Sequence, residues 1–184
     1  MYLTYFPLFT YTARFSLRQV MMNVLLSLAL TTGVLSGLWG WVAVSLGLLG
    51  WAGFLGCTAY FACPQGGLRG LVIAGLTTLS GVFWAQVIMD GSALQPEWTL
   101  LGYLMTGVVS FLMCVQAANR WLAFVPGTFI GACAMFAAQG NWRVVLPSLL
   151  LGLIFGYAMK NSGLWLAARA GRTKAAAQPA AKPR

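Results

Sequence analysis

The sequence predicts an all-α, polytopic transmembrane helical bundle of about six spans, arranged as two inverted three-helix repeats. Three observations carry that expectation. Hydrophobic residues make up 60% of the chain and charged residues only 7%, with a mean hydropathy of +0.80, whereas a soluble domain covers its surface with about a quarter charged residues. Apolar runs of roughly the 17–25 residues that a helix needs to cross a bilayer follow one another along the chain. Finally, the chain matches itself at a shift of about 74 residues, the kind of internal period that precedes any other fold argument.

Residues 1–21 form an aromatic N-terminal extension carrying Arg14 and Arg18. They lack the long apolar core and the small-residue cleavage site of a signal peptide. Met21 and Met22 stand directly before the first clean apolar run, which makes them the expected translation start. Apolar runs bounded by Gly, Pro and charge then place spans at about 24–45, 48–63, 70–89, 98–117, 121–138 and 144–167, the second and fifth being the shortest. Residues 22–97 hold the first repeat and 98–168 the second. From Arg169 the tail is Ala, Pro, Lys and Arg without apolar periodicity, and it is expected to be a disordered, basic cytoplasmic segment.

The net charge of +9 is carried at the chain ends and in short loops. Such a distribution is a topology signal and not the clustered basic face of a nucleic-acid binder, so no nucleic-acid partner is expected. Placing Arg69, Arg120 and the tail together on the cytoplasmic side gives six spans with both termini cytoplasmic. The loop bearing Asp90 and Glu97 then faces outside. Arg143 alone breaks the rule.

The repeat accounts for that exception. TGVLS at residues 32–36 returns as TGVVS at 106–110, FLGCTAYFA at 54–62 returns as FIGACAMFA at 129–137, and Gln65, Gly66 and Arg69 meet Gln139, Gly140 and Arg143. A one-residue slip near Phe54 joins the registers, and GVFWA from Gly81 resembles GLIFG from Gly152 after a further small gap. Three spans per half is an odd number, so the second half enters the membrane upside down and Arg143 belongs on the face opposite Arg69.

Proteins with this plan bind solutes near the midplane, where short or interrupted helices meet. The corresponding segments here run from Gly53 to Gln65, ending CPQGG, and from Val125 to Gln139, where Pro126 and Gly127 are expected to interrupt the helix. They nominate a solute path along Gly56, Thr58, Gln65 and Arg69 in the first half, and along Gly127, Thr128, Gly131, Gln139 and Arg143 in the second. A purely structural reading competes with it. Mid-span Gly33, Gly37, Gly56, Gly131, Gly152 and Gly156 suit close helix packing, two pairs of them at GxxxG spacing, and the arginines suit interfacial anchoring by long, snorkelling side chains.

Catalytic and metal chemistry lack their groups. There is no His, Asp90 and Glu97 are the whole carboxylate complement, and the four cysteines sit in apolar runs without CxxC spacing. Neither an enzyme, a metal site nor a cofactor is expected. A proton-driven pump would want an intramembrane carboxylate or His, and only Asp90 lies near a span. The expected function is therefore a channel or facilitator for a small polar or neutral solute at the interface of the two repeats. The alternative is a non-transporting structural or accessory protein that partners another membrane complex. Six short helices leave little room for a private pore, which suggests a homo-oligomer in the bilayer.

The stretches WAGFLGCTAYFACPQGGL, FVPGTFIGACA and LPSLLLGLIFGYAMKNSGLWLAAR, together with the chain from about Met22 to Arg169, resemble the YcdZ-type inner-membrane proteins of enterobacteria, a family defined by a domain of unknown function. The resemblance implies a bacterial inner-membrane location. It carries over no functional residue, and it does not extend to the first 21 residues or the tail.

Overall fold

The computed structural model describes residues 6–94 and 97–177, with side chains for 21–94 and 97–172. Among these residues all regular structure is helical: α1 (Phe6–Ser45), α2 (Gly50–Ala62), α3 (Gly67–Ala93), α4 (Thr99–Val115), a 3-10 turn (Gln116–Ala118), α5 (Val125–Ala137) and α6 (Trp142–Ala177).

Four stretches are long and apolar enough to cross a membrane, namely Met21–Ser45, Gly67–Ala93, Thr99–Ala118 and Trp142–Arg172. The other two helices, α2 and α5, have 13 residues each. At 1.5 Å per residue they rise about 20 Å, short of the ~30 Å hydrocarbon core. Six helices thus form where six were expected, but two are half-length. Punctuation explains why. Cys63 leaves α2 in an extended conformation ahead of Pro64, and α5 begins only at Val125 and Pro126.

Pro126 consequently does not interrupt a helix, as the sequence suggested; it starts one. It occupies the first turn of α5, where its missing N–H has no helical partner to lose. Helix ends also move outward. α6 continues to Ala177, so residues 169–177 are helical where disorder was expected, because the alanines that weaken apolar periodicity are the strongest helix formers; the rest of the tail lies outside the described residues. At the other end α1 runs unbroken through position 21.

The chain forms two compact units. One consists of α1 up to Val34 and α6 from Met159. Within it, a side chain on Gly163 would stand 2.8 Å from both Leu28 Cδ2 and Thr31 Oγ1, and the Thr31 hydroxyl donates to the Met159 carbonyl at 3.1 Å. Small residues are what allow such approach between membrane helices.

The larger unit, Leu35–Ala158, is organised by two glycine crossings. In the first, α3 meets α5: a Cβ on Gly81 would overlap the Thr128 carbonyl oxygen, and one on Gly131 the Thr78 carbonyl oxygen. In the second, α2 meets α6: a Cβ on Gly56 would overlap the Leu149 carbonyl oxygen, and one on Gly152 the Gly53 carbonyl oxygen. Both crossings are backbone against backbone. Trp39, fully buried, closes the α2 side by seating its indole on Gly53; it donates to the Gly50 carbonyl at 2.9 Å and meets Phe155 edge-on, with ring centroids 5.4 Å apart.

Outside these crossings the helices present apolar side chains outward, among them Leu100, Tyr103, Leu104, Val108 and Phe111 of α4. In water such a face would be untenable. It is the surface expected of a helix in lipid.

Candidate functional site

The α3–α5 crossing carries three of the four buried polar side chains among the described residues, the fourth being Ser148 of α6. Thr77, Thr78 and Thr128 are fully buried beside it. Thr77 and Thr78 turn their hydroxyls back to carbonyls of α3, at 2.9 Å to Ile73 and Ala74 respectively, a local bond that lets a hydroxyl sit in an apolar helix. Thr128 is held instead by Gln116. Where α4 tightens into its terminal 3-10 turn, the Gln116 side chain reaches across to α3 and α5: its amide donates to Thr128 Oγ1 at 3.0 Å, while its carbonyl oxygen accepts from Ser80 Oγ at 2.6 Å and from Trp84 Nε1 at 3.0 Å.

One side chain thus satisfies three polar partners from two other helices. Leucine at this position would strand those partners in an apolar interior, where an unmade bond costs about 1–3 kcal/mol per group. Gln116→Leu is therefore expected to lower the thermal midpoint of the detergent-solubilised protein clearly, with Gln116→Glu, which keeps the acceptor oxygens, intermediate.

A cleft of 280 Å³ opens near one end of the same helices, lined by Pro64 and Gln65 after α2, Ile73 on α3, and Arg120, Phe124 and Pro126 before and within the start of α5. Ile73 and Phe124 are its buried members, 2% and 6% exposed. Phe124 packs into the cluster of Tyr60, Cys63, Ala74 and Leu153. Its ring edge and the Thr77 hydroxyl both crowd Gly127: a Cβ there would lie 2.6 Å from Phe124 Cδ1 and would also overlap Thr77 Oγ1. The hydroxyl and the ring of this cleft-lining phenylalanine therefore meet at Gly127.

The opposite end of α3 holds the other loop. Gln139 takes a left-handed conformation (φ 51°) and Gly140 follows at φ 83°, the usual way a helix end is reversed. A Cβ on Gly140 would meet Met89 Cε at 3.1 Å. Arg69 and Met89 are separated by 20 positions on α3, about 30 Å, so the Gln65 and Gln139 loops sit at opposite ends of that helix. Arg143 lies over the Trp142 ring, 5.6 Å from its centroid.

The nominated residues therefore divide. Gln65 lines the cleft, with Arg69 exposed at the same end of α3; Gly127 and Thr128 adjoin the buried hydroxyls. Gln139 and Arg143 are exposed at the far end. Gly56 and Gly131 are packing positions, because the opposing backbone already fills the space a solute would need. Thr58 is exposed on the outer side of α2 and its hydroxyl bonds the Phe54 carbonyl at 2.9 Å, so it is removed from the path. Sequence reasoning missed Gln116, Thr77, Ser80 and Phe124. An uncharged amide at a span end and a Thr-Thr pair inside an apolar run were the available signals.

A family model described as "Protein of unknown function (DUF1097)" matches residues 29–164. The chain is similar to the "Inner membrane protein YcdZ" of Escherichia coli strain K12, at 74% identity over 83% of this chain and 93% of that protein. The Salmonella typhimurium protein of the same name is 72% identical over 80% of this chain and 92% of its own length. The "Uncharacterized protein YahC" of Escherichia coli is 30% identical over 77% of this chain and 92% of its own length. No solved structure matches.

Proposed function

The chain belongs to the DUF1097 family and is similar to bacterial proteins named inner membrane proteins, and from that premise we propose that it is a facilitator for a small polar or neutral solute, built as two inverted three-helix repeats with both termini in the cytoplasm. The observation that carries the reading is the polar group formed by buried Thr77 and Thr128 with half-buried Gln116 and Ser80, whose Thr77 hydroxyl crowds Gly127 together with the ring of Phe124, a residue lining the cleft beside Gln65 and Arg120. Polar groups inside a membrane bundle are costly unless hydrogen-bonded, and a cluster of them is where a polar solute would find partners.

The repeat is supported by contacts as well as by letters. Shifted by 75 residues, Gly53 and Gly56 of α2 fall on Thr128 and Gly131 of α5; shifted by 71, Thr78 and Gly81 of α3 fall on Leu149 and Gly152 of α6. Under those shifts the approach of Gly56 to Leu149 becomes that of Gly131 to Thr78, and the approach of Gly152 to Gly53 becomes that of Gly81 to Thr128. A duplication with exchanged short helices has this property, since each short helix then packs on the long helix of the other half. Inverted halves of this sort place a solute site where the short helices meet.

Proteoliposomes test the reading. Stopped-flow light scattering under a urea, formamide or glycerol gradient is expected to show faster volume recovery than in protein-free vesicles for at least one of these solutes. Thr128→Leu, which fills the polar cluster, should abolish the difference. Equal rates for wild type, variant and empty vesicles across the panel would leave the accessory role as the surviving reading.

A further inference from the structure

Resting on that facilitator reading, we propose that Phe124 is the gate between the cleft and the buried hydroxyls, and that Leu49 is its counterpart at the other end. Phe124 lines the cleft and is 6% exposed, and its ring and the Thr77 hydroxyl both crowd the same point at Gly127. In the proposed gate this one aromatic side chain acts as a hydrophobic constriction that excludes water until it moves.

Placement suits movement. Phe124 is the residue that precedes α5, with φ −85° and ψ 73°, outside the helical range, so a shift of its backbone would disturb the start of α5 and not the helix interior. Gly127 is the seat of the ring: its lack of a Cβ is what lets the ring lie against the helix. Leu49 stands 75 positions before Phe124 and likewise directly precedes its short helix, α2, with φ −80° and ψ 100°. Its N–H donates to Ser148 Oγ at 3.0 Å, and Ser148, 71 positions after Thr77, is likewise a fully buried hydroxyl. Each short helix therefore starts after an apolar residue, with a buried hydroxyl on the neighbouring long helix beside it.

The mouth at the Phe124 end also indicates solute class. Arg120 is the charged residue among its lining side chains and Gln65 the neutral polar one, so small neutral or anionic molecules approach more readily than cations.

A reporter thiol separates the gate from the transport reading. In a background with all four cysteines replaced by alanine, Thr77→Cys is labelled with 2-sulfonatoethyl methanethiosulfonate, a small, membrane-impermeant anion, in right-side-out and inside-out vesicles. With Phe124 present, labelling is expected to be slow from both faces. Phe124→Ala should accelerate it at least ten-fold from the face that exposes Arg120 only, Phe124→Leu should give a smaller acceleration, and Phe124→Trp none. Adding Leu49→Ala to Phe124→Ala should open labelling from the second face. Unchanged labelling in Phe124→Ala and Phe124→Leu overturns the gate, whatever the flux. Accelerated labelling with urea, formamide and glycerol fluxes still at the level of empty vesicles upholds the gate and rejects the facilitator. If Phe124→Ala does not elute as a monodisperse species, Phe124→Leu decides the same question alone.

Discussion

Gly81→Leu and Gly152→Leu are each expected to remove folded protein from the membrane fraction, and the milder Gly81→Ala and Gly152→Ala each to lower stability by about 1–3 kcal/mol, the usual cost of overpacking. The reason is the nature of the obstacle. At both positions the atom nearest a new Cβ is a backbone oxygen, of Thr128 and of Gly53 respectively, which cannot rotate away as a side chain would. Helices would have to separate, and with them the Gln116 network on one side and the Cys57 to Gly152 contact on the other.

The control is internal. Gly33→Ala and Gly107→Ala meet nothing within 4 Å, and an alanine there gains the ~1 kcal/mol by which it exceeds glycine as a helix former. Thermal unfolding in detergent followed by Trp fluorescence reads all four. A midpoint for Gly33→Ala as low as that for Gly81→Ala would mean that the open face of α1 is covered by something outside this chain.

The second large effect is topological. Single cysteines replacing Arg69 and Arg143 in the cysteine-free background are expected to react with an impermeant maleimide from opposite sides of the membrane, position 69 from the cytoplasm and position 143 from outside. The basis is distance along a rigid element. Arg69 lies in the first turn of α3, while the loop before Arg143 touches Met89 near its other end, about 30 Å away and so a full hydrocarbon thickness. Both arginines are exposed, which keeps the substituted thiols reachable. Reaction of both from one face would overturn the inverted arrangement and, with it, the exchange of short helices between halves.

Composition and period were sufficient for the class of the protein. A chain with 7% charge has too few groups to face water, and runs of apolar residues broken by Gly and Pro become helices because backbone groups in lipid must satisfy one another locally. That the second and fifth helices are the short ones was also legible, with Pro64 marking the end of the former, whereas Pro126 reads in the sequence as an interruption and is a start. Rotation about each helix axis was not. Gly33 with Gly37 and Gly152 with Gly156 have the same spacing in similar apolar runs, yet the first pair faces open space and the second lies against the α2 backbone. Thr58 and Thr128 were equal candidates, but one faces outward and the other is buried under Gln116. Where nearly every residue is apolar, one helix face looks like another to the sequence, with no polar side to mark the outside. Only the packing of one helix on its neighbour, decided by where a missing side chain lets two backbones touch, selects the face that turns inward and the few hydroxyls that go with it.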